Sequence, residues 1–383
     1  MSVETEVKPI ELDPNSLFKT QKIKVSSSKS FETPVKAINL KNIKQKYNLD
    51  TELKELCEIF IRVTSETIKN YNSDPDFEQV FNGKITTDLN KIDLNKNCKF
   101  CFVDFDELKY PTENEIETIT SVSHPFSDII PLPILSFLNK RKIAENEFQQ
   151  YKNFLSSSIG SIEQINNKPI MGIVPFLPLR FIPELIEFYI SNGINAFCID
   201  LDGSNPISAL SRIRRTLIAI KKNKPLEDCY IHGFNVGIGR PNKITEVVPA
   251  KDILGLGVGL GSIGDKYKKF KPSRQFIEYI KTNPEHKFRL FNKADYGYWR
   301  GISHARINEI FPKDCKINPA LFSTYKNKMF LQKLFNSEQL ALEAKNLRKN
   351  INENPEKSLD YLKGKKAVII DDFEKLKNIK QKI

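Results

Sequence analysis

The sequence predicts an α/β fold, a (β/α)8 TIM-type barrel with a polar N-terminal tail and a helical, Lys-rich C-terminal extension. Eight short β-type runs are spaced along Pro34–Phe291, and amphipathic helical patterns lie between them. Strand and helix alternate with a repeat of about 30 residues, the rhythm of βα units in a parallel sheet. With 383 residues, 40% of them hydrophobic, the chain can bury a core of that size.

Residues 1–30 are polar and rich in Lys and Ser (Lys22, Lys24, Ser26, Ser27, Ser28, Lys29) and read as a tail. Strands are expected at Pro34–Leu40, Phe100–Phe105, Asp128–Pro133, Ile170–Pro175, Ile194–Leu201, Tyr230–Val236, Ile253–Leu260 and Lys287–Phe291. A helix over Ile182–Asn192 places Ile182, Leu185, Ile186 and Tyr189 on one face and stops at Gly193. Asn205-Pro206 reads as an N-cap and first-turn proline, followed by a buried stripe of Ile207, Leu210, Ile213, Leu217 and Ile220. The barrel is expected over residues 31–336, with the basic helical extension at 337–383. A doubly wound open sheet is the alternative arrangement of the same elements.

The longest stretches without charge, Ile170–Leu179 and Ile253–Gly264, fall short of the roughly 20 apolar residues a membrane helix needs. The N-terminus has no apolar core of a secretory signal, so a cytoplasmic protein without membrane contact is expected. Six Cys are too few for a disulfide framework and suit a reducing compartment. A net charge of +12 favours an anionic partner such as nucleic acid. A homodimer and a heterodimer are both compatible with the sequence.

In a parallel barrel the chemistry sits at the carboxyl ends of the strands. The polar residues there are Asp104, Asp106, Asp200, Asp202, His232, Asn235 and Asp265. Carboxylates converging with a His suit general acid/base or nucleophilic work, although an Asp at a strand end also caps the next helix. Asp200-Leu201-Asp202-Gly203 reads as a turn into a capped helix; the alternative is a divalent-cation site. Cys98 and Cys101 lack the further ligands of a zinc site and read as core thiols. The glycines from Gly255 to Gly264 do not form a phosphate loop, so no cofactor is expected. Basic and aromatic residues interleave in Lys266-Tyr267-Lys268-Lys269-Phe270-Lys271-Pro272-Ser273-Arg274 and again over Tyr296, Tyr298, Trp299, Arg300, His304 and Arg306. Such mixing suits phosphate contacts plus base stacking, and equally a solvated helix face.

In order along the chain, four segments resemble the tRNA-guanine transglycosylase family, in particular its archaeal branch. These are Phe31-Glu32-Thr33-Pro34-Val35; Asn114-Glu115-Ile116-Glu117 followed by Ser127-Asp128-Ile129-Ile130-Pro131-Leu132; Ile231-His232-Gly233-Phe234 through Gly237 and Gly239; and Val258-Gly259-Leu260-Gly261. Leu334-Phe335-Asn336 resembles the family's closing helix more faintly. The resemblance implies a barrel that exchanges guanine for a 7-deazaguanine in nucleic acid, tRNA before DNA. It implies Asp265 as the nucleophile on ribose C1′ and Asp104 as the acid/base, with an oxocarbenium-like transition state. Asp200, Asp202, Gly203, His232, Lys266, Lys268 and Arg274 are then the expected substrate-binding residues. The Lys residues after Asp265 are expected to hold it ionised.

The chain departs from the family at defined places. The base-reading Asp after S-D-I-I-V-P-L falls at or beside Pro133, the V-Q-G loop reads Val174-Pro175-Phe176, and the G-G strand end reads Asp200-Leu201-Asp202-Gly203. No counterpart of the C-x-C-x-x-C…H zinc site exists over residues 300–336, where Cys315 stands alone, so no metal is expected. A catalytically degenerate RNA-binding partner subunit, a DNA-acting transglycosylase and an unrelated metal-dependent barrel enzyme are the competing readings.

Overall fold

The residues expected as a polar tail form three antiparallel strands in this computed structural model: β1 (Glu6–Leu12), β2 (Lys19–Lys24) and β3 (Ser30–Thr33). The structure describes residues 4–44, 49–140, 143–165, 168–239, 246–267, 274–275, 278, 288–302, 307, 311–323 and 328–383. The correction has a physical cause. Thr20 and Gln21 are buried beside Ile23, and the Thr20 hydroxyl bonds to Asn352 Oδ1 (2.6 Å). The Gln21 backbone N–H donates to Thr33 Oγ1 (3.0 Å), and Gln21 Nε2 donates to the Glu227 carbonyl (2.8 Å). Polar composition therefore hides a packed sheet.

A mixed α/β arrangement follows: β4 (Val35–Lys36), β5 (Ile38–Asn39), β6 (Leu56–Val63), α1 (Ser65–Ser73), α2 (Pro75–Leu89), β7 (Cys98–Phe105), α3 (Glu113–Ser123), β8 (Ile130–Pro131) and α4 (Glu145–Ile165). It continues with β9 (Ile170–Val174), α5 (Ile182–Ser191), β10 (Ala196–Asp200), α6 (Leu210–Asn223) and β11 (Tyr230–Phe234). Then come β12 (Val247–Pro249), β13 (Ser262–Ile263), β14 (Phe288–Asn292), β15 (Gly297–Ile302), α7 (Lys328–Glu353), α8 (Ser358–Lys363) and α9 (Ile370–Ile379). One parallel sheet has the order β4-β13-β11-β10-β9-β8, and a second the order β5-β6-β7.

Every residue of β7, β9, β10 and β11 is buried, as expected of parallel strands covered on both faces. The helices carry their own start and stop signals. Thr112 and Glu115 form a reciprocal capping box on α3, and Gly193, at φ 77°, ends α5 where a side chain would be strained. In α6, Ile213, Leu217 and Ile220 are fully buried, and each contributes about 2 kcal/mol by leaving water.

Three further expectations are corrected. Ile253–Leu260 is not a strand: Ile253–Val258 is a 3-10 helix ending at Gly259 (φ 96°), and the paired segment is Ser262–Ile263. A short buried apolar run does not distinguish the two by periodicity. The strand expected at Lys287–Phe291 is β14, yet it lies in a separate antiparallel sheet of order β12-β15-β14; its first residue, Lys287, lies outside the described residues. The tight return from β14 to β15 passes through Tyr296 at φ 57° and sets that antiparallel pairing. The boundary expected at 336/337 falls inside α7, whose buried stripe runs through Leu331, Leu334, Phe335, Leu340, Ala344, Leu347 and Ile351 without a break. This helix packs on β2, β4 and β14, and Arg348 clasps Glu55 with both terminal nitrogens at 2.8 and 2.6 Å. Among the described residues no helix is long and apolar enough to cross a membrane.

Candidate active site at the carboxyl ends of the parallel strands

Alternate residues of a strand share one face. Glu58, Phe60 and Arg62 of β6 therefore lie together, as do Phe100, Phe102 and Asp104 of β7 and Tyr230, His232 and Phe234 of β11. These faces meet. The Phe102 and Phe234 ring centroids are 4.4 Å apart, those of Phe60 and Phe234 5.9 Å, and the Phe102 ring stacks on His232 at 5.7 Å. Aromatic layers thus fill the space beneath the strand ends, and the charged residues sit above and among them.

Asp104, at 1% exposure, accepts from Arg62 Nε (3.1 Å) on one oxygen and from the Ser136 hydroxyl (2.6 Å) on the other. Burial pushes its carboxyl above the ordinary value, against the opposing pull of Ser136 and Arg62. The same guanidinium donates through Nη2 to the Tyr267 carbonyl (3.1 Å) and lies over the Phe60 ring.

Asp265 is 21% exposed and held on both oxygens, by Lys36 Nζ (2.6 Å) and by Asn42 Nδ2 (2.7 Å). The cation paired with it is thus Lys36 of β4, 229 residues away in sequence. The expectation that the lysines following Asp265 supply its charge involves Lys266, which is exposed, and Lys268 and Lys269, which lie outside the described residues. Below Asp265, Glu58 is fully buried and accepts from the Tyr267 hydroxyl. Gly264 crosses directly over Glu58, and a Cβ there would stand 2.1 Å from Glu58 Oε1.

His232 lies in the middle of β11 with no exposure. Its Nδ1 is 2.6 Å from Ser262 Oγ, which also bonds the Tyr230 hydroxyl. Its Nε2 is 2.8 Å from Glu58 Oε1 but out of line, which leaves both atoms without a hydrogen-bond partner. Sequence reasoning places His232 at the strand end; the structure sets it one layer deeper.

Asp200 ends β10. Its Oδ1 accepts from the Asp202 N–H (2.8 Å) and Asn235 Nδ2 (3.3 Å), and its Oδ2 from Asn139 Nδ2 (3.0 Å). Burial raises its carboxyl pKa. Asn139 Nδ2 also reaches Asp202 Oδ1 at 3.4 Å, so an amide donor stands between the two carboxylates where the metal reading would put a cation. Among the described residues no group of three or more His, Cys, Asp and Glu is arranged to hold a metal. Asp202 (φ 48°), Gly203 (φ 75°) and Asn235 (φ 55°) all adopt left-handed backbone here, and the Gly203 N–H donates to the Asn235 carbonyl (2.8 Å). Backbone strain of this kind concentrates at functional sites. Arg212 donates to the carbonyls of Pro175 and Leu177 and covers the Phe176 ring; burial pulls its guanidinium down to about 10.

One connected polar network therefore links Asp104, Arg62, Tyr267, Asn235 and Asp200, with Glu58, Asp265 and Lys36 joined to it through Tyr267. Arg274 is outside it, exposed and paired with Glu278 (3.3 Å). Cys98 and Cys101 are buried, and burial pushes both thiols up to about 12, which leaves them unreactive. Lys36, Asn42, Glu58, Arg62, Ser136 and Asn139 are absent from the sequence-based site, and Tyr267 entered it only as part of the basic, aromatic stretch after Asp265. The period-2 pattern of Leu56–Val63, with Glu58 and Arg62 on one face, is the signal that would have found two of them.

No family model matches the chain, and no curated protein sequence matches it. Among solved structures it is similar to the carboxyl transferase domain from Rhizobium etli pyruvate carboxylase with pyruvate and biocytin, at a TM-score of 0.32 and 9% identity, over 78% of this chain and 49% of that one. The YdjI aldolase from Escherichia coli K12 gives a TM-score of 0.30 at 8% identity, over 87% of this chain and 92% of that one. The chain spans about half the length of the first of these. Likenesses of this degree carry no argument about chemistry.

Proposed function

We propose that the eight parallel segments close into one barrel and that its strand-end site performs base exchange in nucleic acid, as the resemblance to the transglycosylases implies. Two features support closure. Ala37 alone separates β4 from β5, so one extended segment pairs with β13 on one side and β6 on the other. On the far side, the Phe105 N–H donates to the Ile134 carbonyl and the Ile134 N–H to that of Val103 (both 2.9 Å), joining β7 to the segment after β8.

The observation that carries the functional reading is the unequal setting of two carboxylates in one network. Asp265 is partly exposed and held by a cation and an amide, one on each oxygen, which suits a positioned nucleophile; Asp104 is buried with a raised pKa, which suits a proton donor. In the proposed reaction an Asp265 oxygen bonds to ribose C1′ as the C1′–N bond breaks. The departing base takes its proton from Asp104. The incoming 7-deazaguanine-type base then bonds to C1′, gives its N–H proton to Asp104, and releases Asp265. No cofactor enters these steps. Lys266 and Arg274, both exposed, are available for phosphate contacts.

The test is covalent trapping with tRNA and with DNA, over several bases. Wild type should give an adduct stable to denaturation, Asp265→Asn none, and Asp104→Asn exchange slowed by about 100-fold or more. A specific observation favours a second reading, the nucleic-acid-binding subunit without catalysis: the Tyr267 ring packs onto both Phe60 and Phe234, which also touch each other, and fills the space at the strand ends. Tight, salt-dependent RNA binding with no adduct and no exchange of any base selects that reading.

A further inference from the structure

The amino ends of the parallel strands carry more positive charge than their fold needs. Asp128, just before β8, is already fixed by backbone bonds: its N–H donates to the Lys99 carbonyl, and the Lys99 N–H donates to its Oδ2, both at 2.9 Å. One cation would neutralise its carboxylate. Two converge on it instead, Lys99 Nζ from the second residue of β7 and Lys29 Nζ from the turn between β2 and β3, each 3.1 Å from Oδ1, with side chains only 9% and 12% exposed. A third, Lys168 before β9, donates to the carbonyls of His124 (2.8 Å) and Ser127 (3.1 Å). Burial, and next the charge of Lys99, pull the Lys168 ammonium below its ordinary value, with Lys29 adding to the repulsion and Asp128 opposing it. Among the described residues, three ammonium groups against one carboxylate leave an excess of two positive charges here. Burying an unmatched ammonium costs free energy that a single salt bridge avoids.

We propose that Lys29, Lys99 and Lys168 form a binding site for a phosphate group beside Asp128, at the amino ends of the strands. Each ammonium carries three donors. Among the described residues Lys99 Nζ reaches one acceptor and Lys29 Nζ and Lys168 Nζ two each, so every one of them keeps at least one donor for an incoming oxygen. A phosphate monoester carries a charge of about −1.5 to −2 at neutral pH, which matches the excess. Its oxygens take charge-assisted bonds from several ammonium groups at once, which a monatomic anion does not. Asp128 competes with the ligand for Lys29 and Lys99, so it limits the affinity. The same chemistry comes from two sources, a free phosphate compound or the backbone of a nucleic acid. Lys99 stands near the start of β7 and Asp104 near its end, so the site is separate from the carboxylates of the proposed base exchange and does not depend on that reaction.

The experiment is calorimetric titration of the full-length chain with inorganic phosphate, at constant ionic strength with chloride as the balancing anion. Wild type should bind phosphate saturably at a single site. Lys99→Met, which keeps the apolar stem and removes the charge, should weaken binding about tenfold or more. Asp128→Asn removes the competing anion and should tighten binding severalfold. Should Lys99→Met fail to fold, judged by circular dichroism, Lys29→Met in the turn carries the same expectation. No saturable binding up to about 10 mM phosphate overturns the proposal, as does equal binding by wild type and the lysine variant, or weaker binding by Asp128→Asn. Single-stranded RNA separates the two sources. RNA that displaces the phosphate, with about one unit of salt dependence lost in Lys99→Met, upholds the site as a contact for a polynucleotide backbone. Phosphate binding that RNA leaves unchanged upholds it as a site for a free phosphate compound.

Discussion

The two ends of the parallel strands handle charge in opposite ways. At the amino ends, Asp128 accepts from Lys29 Nζ and Lys99 Nζ, both at 3.1 Å, and from the Lys99 N–H (2.9 Å), while Lys168 Nζ donates to the carbonyls of His124 and Ser127. Three cations surround one carboxylate, and the cluster ties the N-terminal sheet to β7 and β8. At the carboxyl ends the balance reverses among the described residues: Lys36 pairs with Asp265 and Arg62 with Asp104, while Asp200 accepts from the amides of Asn139 and Asn235. The excess is carried by amides and hydroxyls, with two carboxyls pushed toward their neutral forms. The contrast separates an end where a carboxylate is fully paired with cations from one where buried carboxyls are pushed toward the neutral form, a setting that persists only where the rest of the fold sustains it.

The largest effect is expected at the amino ends. Asp128→Ala leaves Lys29 and Lys99 facing each other with no anion, and should cost about 3 kcal/mol of stability in urea unfolding, as removing one member of a buried pair does. A loss near zero would erase the contrast between the two ends. Arg62→Met at the carboxyl ends should cost less, about 2 kcal/mol at neutral pH, because Asp104 escapes part of the penalty by taking up a proton. That deficit should shrink as the pH falls, since a protonated Asp104 no longer needs the cation. An equal deficit at all pH values would show that the contact works through packing alone.

The smallest effect concerns Asp200. Its folded pKa lies above the unfolded value, so the folded chain binds the proton more tightly. Its contribution is fully present below the unfolded pKa, roughly pH 4, and is lost as the pH rises through the folded one. Asp200→Asn should flatten that part of the stability profile, measured by thermal unfolding across the same range. A profile unchanged from wild type would assign the slope to other groups.

Much of the architecture was legible because local patterns suffice for it. β7, β9, β10 and β11 are apolar runs, α5 ends at Gly193, and the stripe of α6 keeps helical spacing through Ile213, Leu217 and Ile220. β6 escaped notice because Glu58 and Arg62 interrupt its apolar run, although they share a face with Phe60. β1 escaped because none of its positions is buried, and β2 because two of its three buried positions, Thr20 and Gln21, are polar and rely on partners far along the chain. The Ile253–Val258 turn took the pattern of a strand because both bury a short apolar run.

By itself the sequence determined the α/β rhythm and the positions of Asp104, Asp200, Asp202 and Asp265 just past or at the ends of apolar runs, since strand periodicity and turn chemistry are local. Only the tertiary structure decided what those carboxylates are. Lys36 reaches Asp265, Arg62 reaches Asp104, and Asn139 reaches Asp200 across 229, 42 and 61 residues of chain. Charge state and access depend on distance and burial in space, and Tyr267 packs at the strand ends because Phe60 and Phe234, from different strands, meet there.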